Sequence, residues 1–208
     1  MSGESRPVSR VDWSCRRVWV FDMDGTLTVP AHDFAHARQA LGIPSHEDIL
    51  GNLARRTPED RAAAERWLGV WEEDIARRAE VQADAAALVA HLQAAGCVLG
   101  ILTRNRVDLA HLTLAAIGLS DAFPAELVLG RACAAPKPAP DGVLQILRTL
   151  GASPEDAVMV GDYRYDVEAG RAAGTATLLV DREGDGSPCA AADVIVPHLW
   201  PLPVVLPG

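Results

Sequence analysis

Two carboxylates open the chemistry of this sequence. Asp22 and Asp24 stand one residue apart at the end of the apolar run Val18-Trp19-Val20-Phe21, and Gly25 and Thr26 follow them. The run is β-branched and aromatic on both faces, the pattern of a strand buried on two sides. Its end sets Asp22 and Asp24 at the carboxyl edge of a sheet, where open α/β folds bind ligands. No basic residue stands beside them in sequence, so the pair suggests a metal and a charged reaction.

More groups of this kind follow downstream: Thr103-Arg104-Asn105, Lys137 within a proline-rich stretch, and Asp162 with Asp166. Singly, each has an ordinary reading. A carboxylate pair after a strand is a helix cap or a solvated turn, Thr103 is an N-cap, and Lys137 is a solvated loop lysine. Asp162 and Asp166 alone are a cap and a surface acid. Together the ordinary readings fail, because all must arise in order on alternating strands.

The elements that must position these groups are legible from punctuation and periodicity. After the first strand, three helices are expected. One covers 33–41 and stops at Gly42. A second starts after Pro44, with Ser45 and Asp48 at capping-box spacing. A third opens on Thr57 as N-cap and Pro58 at the first helical position, with Trp67, Leu68, Val70, Trp71 and Ile75 as its buried stripe. From residue 85 helix and strand alternate. Helices are expected over 85–95, 107–117, 141–150 and 165–173, and strands over 97–102, 127–129, 157–160, 177–180 and 194–196. This alternation predicts a mostly parallel sheet covered on both faces. The tail from Pro197 to Gly208 carries four prolines and reads as an extended surface strap.

At 208 residues the chain fits one domain, or one with a modest insert, and 49% apolar residues allow a sizeable core. A net charge of −9 argues against nucleic acid or an anionic membrane as the main partner. Cys15, Cys97, Cys133 and Cys189 form no C-x-x-C pair, so reduced thiols in the cytoplasm are expected, without zinc. Residues 1–17 lack the apolar stretch of a signal peptide, and no run approaches a membrane span.

The stretch D-M-D-G-T at Asp22–Thr26 resembles motif one, D-x-D-x-T, of the haloacid dehalogenase superfamily of phosphohydrolases. L-T-R-N at 102–105 resembles motif two, and A-P-K-P-A-P-D at 135–141 resembles the K-P-x-P motif three of phosphoglycolate phosphatase-like members. G-D-Y-R-Y-D with Ala169-Gly170 resembles motif four, G-D-x-x-x-D-x-x-A-G. The resemblance implies an α/β Rossmannoid core with helices on both faces, over 10–27 and 84–208. It also implies a small all-helical type-one cap inserted after the first strand, over 28–83.

By the same resemblance, Asp22 is the nucleophile that forms an aspartyl-phosphate, and Asp24 is the general acid and then base. Mg²⁺ is the implied cofactor, held by the Asp22 carboxylate, the Asp24 main-chain carbonyl and Asp162, with Asp166 beside it. Thr103, Arg104 and Lys137 are implied to bind the phosphate, with Thr103 and Lys137 in the catalytic set. The implied partner is a small phosphorylated metabolite, phosphoglycolate-like, with a monomer or weak homodimer as the expected state. A sugar phosphomutase of the same superfamily and a non-catalytic binding module are the alternatives. Asp24 stands two after the nucleophile, which disfavours dehalogenation, and the short cap leans towards hydrolysis over mutase chemistry. Motif four often has Ser or Thr where this chain has Tyr163. His32 and His36 sit four apart, but without the acid and third ligand of a metal site they read as cap residues. His32, Asp33 and Arg38 are the cap residues nearest the site in sequence and are candidates for substrate contacts.

Overall fold

The apolar runs become six parallel strands, and the order of those strands explains the spacing of the acids. In the computed structural model, which describes residues 11–184 and 191–207, the strands are β1 (Val18–Phe21), β2 (Val98–Leu102), β3 (Val128–Leu129), β4 (Ala157–Gly161), β5 (Ala176–Val180) and β6 (Val194–Val196). They form one sheet in the order β3-β2-β1-β4-β5-β6, with every pairing parallel. The first strand in sequence is therefore central. Phe21 pairs with Ile101 on one side and with Val160 on the other, so Asp22, Leu102 and Gly161 end at one level.

Alternation along β1 divides the core. Trp19 and Phe21 face helices α4 (Ala83–Ala94) and α5 (Val107–Ala116), packing with Leu88, Leu92, Ala110 and Leu114. Val18 and Val20 face the opposite layer, with Val143, Ile146 and Leu147 of α6 (Asp141–Leu150) and Ala173 of α7 (Arg164–Ala173). Both faces of the sheet are covered, as a parallel sheet requires. Gly42, Gly151 and Gly174 close α1 (Phe34–Leu41), α6 and α7 in the left-handed conformation, at the positions where the sequence places helix ends.

Between β1 and α4 lie α1 (Phe34–Leu41), α2 (Ile49–Ala54) and α3 (Pro58–Arg77). They share a small core of Ala37, Ile43, Ile49, Leu53, Ala64 and Leu68, against which Trp67 and Trp71 pack. The two legs of this insert run together. Val29 N–H donates to the Glu80 carbonyl, and Gln82 N–H donates to that of Leu27, both at 2.9 Å. Thr57 caps α3 as expected, with Pro58 in its first turn. Two expectations are corrected. Val70 is 71% exposed, because it lies about 200° around the helix from Leu68; the buried line is Ala64, Leu68 and Ala76. The second helix begins at Ile49 rather than just after Pro44. Asp48 is its N-cap, accepting the Gly51 N–H at 2.7 Å, and Ser45 lies in the turn before it.

The tail is not a surface strap alone. Leu199 is fully buried in the main core, and Trp200, Leu202, Val204 and Leu206 pack against that core. Asp84, at the start of α4, fastens it: its Oδ2 accepts from Leu199 N–H at 2.7 Å and from Arg182 at 2.8 Å. Cys15, Cys97 and Cys133 are free. Cys189, the first ten residues and Gly208 lie outside the described residues.

Burial pushes the Asp84 carboxyl up, but the Arg182 and Leu199 hydrogen bonds outweigh it, and the net is a value below the ordinary carboxylate. A lowered folded-state value stabilises the fold above the unfolded pKa and stops doing so as pH falls through it. Asp84→Asn is therefore expected to cost about 1–2 kcal/mol near neutral pH. The difference from wild type, followed by thermal denaturation, should shrink below about pH 4.

Candidate active site

The level ends of β1, β2 and β4 bring the separate motifs to one place. Asp22 leaves β1 with its N–H donated to the Val160 carbonyl at 2.8 Å, which fixes its backbone to the neighbouring strand. Asp162 follows β4, and Asp166 lies in the first turn of α7, its Oδ2 accepting the Tyr163 N–H at 3.0 Å. One carboxylate oxygen from each of Asp22, Asp162 and Asp166 lies within 4.8 Å of the others.

Glycine makes this crowding possible. Gly25 has φ +82°, and a methyl group there would overlap the Asp162 carboxylate. A side chain at Gly161 would overlap Asp166 in the same way. Thr26 is fully buried below, its hydroxyl 3.5 Å from Asp162 Oδ1. Arg182 reaches the Gly25 and Thr26 carbonyls at 3.5 Å each, linking this loop to Asp84.

Lys137 reaches the acids from the loop after β3. Its Nζ lies 2.6 Å from Asp22 Oδ1 and 2.6 Å from Asp166 Oδ1, with the side chain 4% exposed. Burial alone would lower the lysine; the two carboxylates outweigh it and hold it charged, above its ordinary value. Burial pushes Asp166 up to about 6 despite Lys137. Burial, with the charges of Asp22 and Asp166, pushes Asp162 up to about 7. Three carboxylates are thus gathered around one buried ammonium, and two of them are held reluctantly ionised. An all-oxygen donor set this short of positive charge suits a hard divalent cation.

Asp24 faces another way. Its Oδ2 accepts from Asn105 Nδ2 at 2.7 Å, and its Oδ1 lies 3.5 Å from His32 Nδ1. Burial pushes its pKa above the ordinary carboxyl range; His32 and the Asn105 hydrogen bond oppose the shift, while the Asp22 charge adds to it. A raised carboxyl suits a proton donor. Thr103 is buried and its Oγ1 accepts the Asn105 N–H at 3.1 Å; it does not cap the next helix, which begins at Val107 with Arg106 as N-cap. Arg104 is exposed at the rim. Its guanidinium lies 5.9 Å over the Tyr165 ring, which Arg164 also covers at 5.0 Å, with the Tyr163 ring set edge-on at 5.0 Å.

Of the insert's three candidates, His32 alone touches the acids described above. Its ring stacks on Phe34 at 5.3 Å and meets Trp71 edge-on at 5.6 Å. Asp33 caps α1, and Arg38 donates to the Glu47 carbonyl, so both are engaged within the insert. Sequence reasoning assigned no role to Asn105, although it stands in the same four-residue stretch as Thr103. It also missed Glu72, which pairs with Arg131 at 3.1 Å across the insert and the core. An acid on the face of Leu68 and Ala76 was the available signal, since a helix face turned to a core has few reasons to carry one.

Comparison with known proteins agrees with this geometry. A family model described as haloacid dehalogenase-like hydrolase matches residues 17–174. A haloacid dehalogenase-like hydrolase domain-containing protein of Arabidopsis thaliana is 33% identical over 81% of this chain and 72% of its own. A phosphoglycolate phosphatase of Xanthomonas campestris is 31% identical, covering 88% and 95%. An N-acetylmuramic acid 6-phosphate phosphatase of Pseudomonas aeruginosa is 29% identical, covering 86% and 89%. Among solved structures, CbbY from Rhodobacter sphaeroides in complex with phosphate aligns at TM-score 0.70 and 19% identity, covering 91% of this chain and 97% of that one. Motifs in order, strands in register and the family match over most of the length agree: the chain belongs to the haloacid dehalogenase-like hydrolases.

Proposed function

We propose that this protein is a Mg²⁺-dependent phosphomonoesterase that acts on a small phosphorylated metabolite through an aspartyl-phosphate at Asp22. The observation that carries the reading is the division of labour between two acids one residue apart. Asp22 faces Lys137 at 2.6 Å, whereas Asp24 is turned to Asn105 and His32 with its carboxyl raised by burial. Relatives named as phosphatases support the class of reaction.

In this reading Asp22 attacks phosphorus and displaces the alcohol, and Asp24 gives that alcohol its proton. Asp24, then ionised, takes a proton from the water that opens the aspartyl-phosphate. Lys137 offsets the charge of the transferring group, and Thr103, with Arg104 at the rim, holds its oxygens. Asp22, Asp162, Asp166 and the Asp24 main-chain carbonyl would hold Mg²⁺. Bound there, it would supply positive charge to a phosphoryl oxygen. Helices α1–α3 serve as the cap over this edge, since His32 on the insert reaches Asp24. The supported substrate class spans phosphoglycolate-like and larger phosphate esters, because the named relatives differ on that point.

A cytoplasmic monomer or weak homodimer is the proposed form. No helix of the described residues is long and apolar enough to cross a membrane, and three cysteines are free.

Two measurements test the reading. Phosphate release from p-nitrophenyl phosphate should require Mg²⁺, stop on chelation and fall by at least about 10³-fold in Asp22→Asn. Release that persists in Asp22→Asn would exclude the aspartyl-phosphate route. The second measurement is of stability. With chelator present, Asp162→Asn is expected to melt higher than wild type, because it removes one of three crowded charges. Mg²⁺ should raise the wild-type melting temperature by a few degrees and the variant's by much less.

A further inference from the structure

Beyond Asp24 the insert and the core leave a narrow niche of about 10 Å³, room for one group the size of a water molecule, a hydroxyl or an ammonium. Asp24, His32 and Asn105 form its polar end, Ile75 and Leu109 contribute apolar walls, and Glu72 of α3 lines it as well. This is the side to which Asp24 delivers its proton in the proposed reaction, and so the side on which the departing alcohol must lie.

Of the fully buried side-chain nitrogen and oxygen atoms around this cavity, one has no hydrogen-bond partner. Asp24 uses one oxygen for Asn105 and sets the other beside His32. Glu72 uses Oε1 for Arg131 at 3.1 Å. Its Oε2 is buried with no hydrogen-bond partner, one of two such side-chain atoms among the described residues. A buried acceptor left unmatched is costly, and a site whose acceptor is satisfied only by the right ligand discriminates strongly. Arg131 offsets the charge of Glu72, so what the place offers is an unmatched acceptor oxygen rather than a net negative charge.

Resting on the phosphomonoesterase reading, we infer that Glu72 is a specificity-determining residue: it accepts a hydrogen bond from a hydroxyl or ammonium group on the leaving alcohol of the substrate. The substrate class is then a phosphate ester of a polyol, sugar or amino alcohol. A leaving group that ends in a carboxylate, as glycolate does, brings no donor to that oxygen. This narrows the class within that supported by the relatives, and disfavours phosphoglycolate itself.

The test compares kcat/KM with Mg²⁺ for p-nitrophenyl phosphate, glycerol 3-phosphate, phosphoethanolamine and 2-phosphoglycolate. Ratios are taken within each protein, so that losses common to all substrates cancel. Wild type is expected to favour the two donor-bearing esters over 2-phosphoglycolate by about tenfold or more. Glu72→Gln should bring that ratio down by about tenfold, and Arg131→Gln, which frees the carboxylate, should keep or raise it. A wild-type preference for 2-phosphoglycolate overturns the inference. So does a ratio within twofold of wild type in Glu72→Gln, which means that the oxygen faces only a trapped water. A fall in Arg131→Gln as large as that in Glu72→Gln also overturns it, because the pair then acts only as a tie for the insert. If wild type hydrolyses none of the four esters, the phosphomonoesterase reading itself falls. Hydrolysis of p-nitrophenyl phosphate with the wrong ratios removes Glu72 alone.

Discussion

The buried ammonium of Lys137, 2.6 Å from a carboxylate oxygen of both Asp22 and Asp166, is the contact on which the rest of the site depends. Asp22, Asp162 and Asp166 come from three places in the chain and would repel one another if left alone. Like charges in a poorly hydrated place are costly to hold together. One cation between two of them offsets that repulsion. The same geometry leaves a deficit of positive charge on the Asp162 side, where burial and its neighbours push that carboxyl up to about 7. The contact of Lys137 with Asp22 and Asp166 and the raised carboxyl of Asp162 are thus two outcomes of one electrostatic imbalance.

The backbone is arranged to tolerate that imbalance. Strand register sets Asp22 level with Gly161, and the two glycines at 25 and 161 remove the atoms that would keep the acids apart. The cost of the crowding is carried by structure further out. Arg182 joins the Gly25–Thr26 loop to Asp84, and Asp84 in turn holds Leu199 of the tail. A loop whose acids repel is in this way tied to the main core from behind. The insert contributes from the other side, where Arg131 and Glu72 join α3 to the loop after β3.

What was legible in the sequence had a local cause. Asp22 and Asp162 each follow an apolar run directly, so their place at a strand end could be read from a few neighbours, and Asp24 and Asp166 stand a few residues further on. Helix limits at Thr57, Gly42 and Gly151 were legible for the same reason, since capping depends on one or two residues. What was not legible involves partners far apart in the chain. Asn105 holds Asp24 across the gap between two strands, Asp84 holds Leu199, and Glu72 meets Arg131. Nothing near any of these residues marks the other. Val70 was misread because apolar character was taken for direction, when the helical angle puts it on the far side from Leu68. The tail was misread because its prolines exclude a strand but do not exclude burial.

The central position of β1 has a consequence for how the protein is made. Of the six strands Val18–Phe21 is made first, yet its two neighbours are Val98–Leu102 and Ala157–Gly161. Until the second of these has left the ribosome, this strand, buried along its whole length in the finished fold, has an open edge, and an open apolar edge pairs readily with other chains. The strand that leads into Asp22 is thus the first of the six made and stays open on one side until β4 exists. Premature termination anywhere before Ala157 yields an aggregation-prone fragment rather than a smaller enzyme, so the fold makes completion of the chain a condition for both solubility and activity.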